Sequence, residues 1–143
     1  MLEKIKALRI MLDMIYRIIR LLPGTREINL AATSVQLAKM WAGRTLKDLG
    51  EQTPYPQSEN PKNEQIEIEA DTVDVVNEYP QDWTRTAKIK QLRKELGELE
   101  DTISKDTMDY KSLNNCIKSI AEARMWLGQE LGRIRDQENI VGN

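Results

Sequence analysis

The chain has 143 residues, 40% of them apolar and 31% charged, with 21 Lys/Arg against 23 Asp/Glu and a net charge of −2. This is the make-up of a charge-rich, water-soluble helical chain of one domain or two small ones. One cysteine and no histidine exclude an internal disulfide framework, the usual His-containing metal sites and His-based triads. No apolar run approaches the ~20 residues a membrane span requires, and no signal-peptide pattern opens the chain, so a cytoplasmic protein with no membrane partner is expected.

In residues 1–50, Ile5, Leu8, Leu12, Ile15, Ile19 and Leu22 recur at steps of three and four, which lays one apolar stripe along a helix. Pro23 and Gly24 stop it, Thr25 stands as an N-cap, and a second stripe follows at Ile28, Ala31, Val35, Ala38, Ala42 and Leu49. So short a turn predicts an antiparallel hairpin, and the small alanines let its helices approach closely. Residues 51–82 form a connector with four of the five prolines and nine acidic residues against one lysine. Within it, "QIEIEADTVDVV" alternates with period two, the pattern of a short extended piece or hairpin. An acidic solvated linker is the plainer reading, but the length and the apolar content favour a segment that packs along the bundle or reaches a neighbour.

Residues 83–143 repeat the plan. Ile89, Leu92, Leu96, Leu99 and Ile103 match the first stripe at an offset of 84, and Leu113, Cys116, Ile120, Ala123, Leu127 and Ile134 match the second at 85. Asp106 or Thr107 is the expected cap of the last helix. The pentapeptides "KMWAG" (39–43) and "RMWLG" (124–128) repeat at the same offset, the mark of one unit used twice. A lone hairpin has little interior, so the expected fold is all-α: two antiparallel hairpins docked as a four-helix bundle, joined by the acidic connector, and oligomeric. Met40, Trp41, Met125 and Trp126 lie partly outside the stripes; they either widen the core or form a second apolar face for another protomer.

Chemistry-bearing patterns are few. Carboxylate pairs at helical spacing, Glu98 with Asp101 and Asp106 with Asp109, read as a solvated face. "PGT" before a helix aims backbone N–H groups outward, as an anion prefers, but it also makes an ordinary turn. Arg26 sits in the first turn of its helix, the wrong end of the dipole for a cation. Either it pairs with Asp13 or Glu27, or it awaits a phosphate. Thr33, mid-helix, either packs or offers its hydroxyl to a ligand. Tyr16 is either a boundary tyrosine or a ring for base stacking. Tyr110, Lys118, Arg124 and Arg133 are the corresponding candidates of the second unit, each readable as plain surface.

"LLPGTREINLAATSVQLAKMWAG" resembles the hairpin of phage sponge proteins directed against CBASS, the cyclic-oligonucleotide-based anti-phage signalling system. That pattern runs proline, short turn, Arg-Glu, a Leu-Ala step, Thr, then Met-Trp. "SIAEARMWLGQELGRI" is similar to the closing helix of the same hairpin, found also in the related Thoeris anti-defence sponges. The resemblance implies a homo-oligomer in the host cytoplasm that sequesters cyclic di- or trinucleotides or cyclic ADP-ribose isomers between protomers. It implies no catalysis, no cofactor, no metal and no nucleic-acid polymer. Arg26 or Arg124 would then hold phosphate, Thr33 would hydrogen-bond, and Tyr16 or Tyr110 would lie against a base. This chain departs from the pattern in having two hairpins and a long acidic connector, in setting Lys118 where Thr33 stands, and in lacking an Arg-Glu step before Leu113. A helical adaptor gripping a protein partner through Trp and Met is the alternative.

Overall fold

The computed structural model describes residues 2–50, 79–80, 82–105 and 110–142, with side chains as far as 139. Four helices follow in order: α1 (Leu2–Leu21), α2 (Arg26–Asp48), α3 (Arg85–Ser104) and α4 (Lys111–Gly142). The all-α, four-helix reading is therefore correct. The extended piece expected in "QIEIEADTVDVV" and the expected caps Asp106 and Thr107 lie outside the described residues. No helix of the described residues is long and apolar enough to cross a membrane.

Local chemistry sets the helix ends. Pro23 and Gly24 close α1, and Thr25, in extended conformation, caps α2 by accepting the Ile28 N–H at 3.2 Å. Thr84 caps α3 in the same way through the Ala87 N–H at 3.1 Å. Past α2, Gly50 adopts φ +94°, a left-handed turn that glycine enters without the Cβ clash.

All four stripes meet in a single core. Ile5, Leu12, Ile19, Val35, Leu92, Leu96, Ile120 and Leu127 are each fully buried. Within each hairpin the helices pack together, and the hairpins join through α2 and α4, the most extensive contact in the molecule. Ala31, Ser34 and Ala38 on α2 and Cys116, Ser119 and Ala123 on α4 are buried; small residues on both helices let them approach closely. Thr25 bonds Glu130 at one end of this seam, and Thr45 bonds Ser112 at the other, so α2 and α4 run antiparallel. Of the connector, Tyr79 is buried in the same core, donates its hydroxyl to Glu95 at 2.7 Å and meets the Trp83 ring at 5.6 Å.

Candidate functional site

The outward face of α2 carries Arg26, Thr33, Leu37, Met40 and Arg44, all exposed and at the three- and four-residue steps of one helical face. The offset of 85 puts Lys111, Lys118, Glu122, Met125 and Gln129 on the matching face of α4, again all exposed. Arg26 and Thr33 thus share one surface, two turns or about 10 Å apart along the axis. Lys118 stands on the corresponding surface of α4. The Thr33 hydroxyl donates to the Asn29 carbonyl at 3.0 Å, the back-bond of a mid-helix threonine.

Arg26 is an exposed cation with an aromatic neighbour. Its guanidinium lies 5.4 Å from the centroid of the half-buried Trp126 ring, within cation–π range, and 73% of its side chain is exposed. The carboxylate beside it is Glu27, at 3.6 Å. Asp13, the other partner considered from the sequence, is taken: its oxygens accept from Arg17 Nε at 2.8 Å and Lys39 Nζ at 2.5 Å. Burial pushes the Asp13 carboxyl up, but the bonds and charges of Lys39 and Arg17 outweigh it and hold it below its ordinary value.

Two of the other basic candidates, Arg124 and Arg133, have acid partners. Arg124 donates to Glu100 at 2.9 Å. Arg133 grips Glu130 through Nε at 2.5 Å and Nη2 at 3.2 Å, with Glu27 at 4.0 Å. Glu130, fully buried, also accepts the Thr25 hydroxyl at 2.6 Å. Burial raises its pKa; the bonds from Arg133 and Thr25, with the charges of Arg133 and Arg85, outweigh that and leave it lowered. Tyr16 and Tyr110 pack half-buried against the core, on α1 and at the mouth of α4. The seven sequence candidates therefore do not converge within one chain: Arg26 and Thr33 share a face of α2, Tyr16 lies on α1, and the rest lie on α4 or at its mouth.

The far end of the α2–α4 seam holds a second polar knot. Buried Thr45 exchanges a 2.7 Å hydrogen bond with Ser112, whose hydroxyl stands 3.0 Å from Asp48 Oδ2. At the offset of 85, Thr45 corresponds to Glu130, Ser112 to Glu27 and Asp48 to Arg133, so the two knots occupy equivalent places with different chemistry.

Sequence reasoning missed a third arrangement, in the seam between α3 and α4. "RKELG" (93–97) on α3 and "RMWLG" (124–128) on α4 both begin with Arg and end with Gly. The Arg124 guanidinium carbon lies 3.3 Å from where a Cβ on Gly97 would stand, and that of Arg93 lies 3.4 Å from the same point on Gly128. Each arginine lies over the other helix's glycine, so the helices lock in register around the buried Leu96 and Leu127. The shared R-x-x-L-G spacing was the available signal.

Cys116 is fully buried, and burial pushes its thiol up to about 12, so it is not a nucleophile at neutral pH. Among the described residues no group of three or more metal-ligating side chains comes together. No protein-family model, curated protein or solved structure matches the chain.

Proposed function

We propose that this chain is a phage anti-defence sponge. It binds a nucleotide-type immune messenger, a cyclic di- or trinucleotide or a cyclic ADP-ribose isomer, and holds it uncleaved on the outer face of α2 in a homo-oligomer. One observation carries this reading: the exposed guanidinium of Arg26 already laid over Trp126. Stacking holds the guanidinium in place while its N–H groups, with Glu27 3.6 Å from Nη1 as an acid neighbour, stay open to solvent and to a phosphate. The site sits beside the first turn of α2, where backbone N–H groups and the dipole favour an anion. Thr33 lies on the same face for a further hydrogen bond. Since one chain brings only these groups together, a second protomer supplies the opposite wall.

The test is release and rebinding. Purified protein is heat-denatured and the supernatant chromatographed, and a panel of cyclic nucleotides is then screened by thermal shift. An unaltered nucleotide, or a shift equal to the ~2.7 kcal/mol expected at a hundred times Kd that Arg26→Ala abolishes, supports the sponge. A cleaved product, or no shift across the panel, refutes it. The adaptor reading keeps one observation in its favour: Leu37, Met40 and Met125 are 39%, 46% and 48% exposed on the faces flanking the α2–α4 seam, where a partner helix would seat. A chain that stays monomeric and binds no nucleotide, yet pulls down one stoichiometric protein that Met40→Lys releases, selects that reading.

A further inference from the structure

We propose that the α3–α4 seam is a binding site for an exogenous oxyanion, a phosphate or carboxylate group held at Arg93, in the place that the first hairpin fills with its own Asp13. This site is separate from the α2 face and does not depend on the sponge reading.

The argument comes from comparing the two hairpins. In the first, Asp13 is a built-in anion between helices: it accepts from Arg17 on α1 and from Lys39 on α2. The offset of 84 carries Arg9 onto Arg93 and Asp13 onto Gly97, and the offset of 85 carries Lys39 onto Arg124. Arg93 and Arg124 thus stand where Arg9 and Lys39 stand in the first hairpin, Asp101 replaces the Arg17 that pairs with Asp13, and Gly97 takes the place of the carboxylate that Lys39 binds. Glu100 serves Arg124 alone. Arg93 makes no hydrogen bond or ion pair among the described residues, and its Nε, like that of Arg124, is buried without a partner.

A half-buried guanidinium with no counter-charge is unusual in a chain whose other half-buried interhelical cations, Lys39 and Arg124, have acid partners. Arg93 and Arg124 lie over glycines one helical turn apart, so their guanidiniums are staggered by about 6 Å along the seam, a spacing at which one phosphate can lie against both. Two cations face one carboxylate there, and the arginine fork suits a phosphate oxygen pair. Arg93 as a whole is only half-buried, so its charge is reachable from solvent.

Phosphate is titrated into the full chain, with melting temperature and calorimetric Kd read against chloride at matched ionic strength; acetate is run as the carboxylate probe. The wild type is expected to gain stability specifically from phosphate. Arg93→Gln should weaken phosphate binding about ten- to a hundredfold, the worth of hydrogen bonds to a charged group. Gly97→Asp restores the first hairpin's carboxylate; its Cβ meets only the flexible end of Arg124. That variant should be more stable than wild type in chloride and no longer respond to phosphate, and it carries the test should Arg93→Gln fold poorly. Arg26→Ala should leave the phosphate response unchanged, which separates this site from the proposed messenger site. A phosphate effect equal to that of chloride, or one that survives both Arg93→Gln and Gly97→Asp, overturns the proposal.

Discussion

The buried carboxylate of Glu130 gives the sharpest test of how the two hairpins are held together, because the sign of its pH dependence should reverse when one neighbour is removed. In the wild type its folded pKa is lowered. Its contribution is therefore fully present above the unfolded carboxylate value of about 4.3 and is lost as the pH falls through the lower folded value. Three hydrogen bonds reach it, one from Thr25 and two from Arg133. Glu130→Ala removes all three and leaves a small void, but the Arg133 side chain is 31% exposed and returns to water. The net cost should be about 3 kcal/mol, a fall in Tm of roughly 10 °C for a domain of this size. Arg133→Ala instead strands the carboxylate. Burial, the largest influence on it, then opposes only Thr25 and the charge of Arg85, and the folded pKa rises above the unfolded one. The contribution is then present below about pH 4.3 and disappears as the pH rises through the new folded value. Urea denaturation from pH 3.5 to 8 should show the gap between wild type and Arg133→Ala widening with pH, while Glu130→Gln removes the dependence. A constant gap, or one that narrows with pH, would falsify the assignment of Glu130 as an ionised anchor.

Two further outcomes follow from the packing. A Cβ on Gly132 would meet nothing within 4 Å, so Gly132→Ala should stabilise by the full helical gain of about 0.8–1 kcal/mol, whereas Gly97→Ala must displace the Arg124 guanidinium and should gain less; equal gains in urea titrations would show that Arg124 does not lock the seam. Cys116, with its thiol pushed up to about 12 by burial, should react with a disulfide reagent at pH 8 only as fast as the bundle opens, and labelling at the rate of a free peptide thiol would contradict its place in the core.

The apolar stripes were legible because they follow directly from helical periodicity. Every stripe position from Ile5 to Ile134 is buried except Leu49, which is half-buried at the frayed end of α2. Thr25 was legible as a cap, since it lies between a Pro-Gly turn and the first periodic residue. Its second role, donating to Glu130 105 residues away, was not, because periodicity carries no information about which helix faces which. Glu130 did leave a trace: a carboxylate falling on the apolar side of α4 between Leu127 and Ile134 must be paired inside the bundle. The basic candidates show the converse. Arg124 looks like a free surface cation in one dimension, and only the docking of α3 on α4 reveals the Glu100 that engages it, whereas Arg133 pairs with Glu130 three residues earlier on its own helix.

The antiparallel α2–α4 seam also explains why each hairpin repeats its tryptophan. Trp126 lies one turn before Glu130, which bonds Thr25, the neighbour of Arg26; Trp41 lies one turn before Thr45, which bonds Ser112, the neighbour of Lys111. Each indole is thus placed level with the first turn of the other hairpin's second helix, where the repeat sets a cation, Arg26 or Lys111. A single hairpin could not make this contact with itself, since its own Trp and its own first-turn cation are about four turns apart on one helix. The pairing of indole and cation belongs to the dimeric arrangement of two hairpins, here fused into one chain. Fusion frees the two copies to differ, and they do: Arg26 stacks on its indole, and the Glu130–Arg133 ion pair at that end is replaced by Thr45, Ser112 and the Asp48 carboxylate at the other.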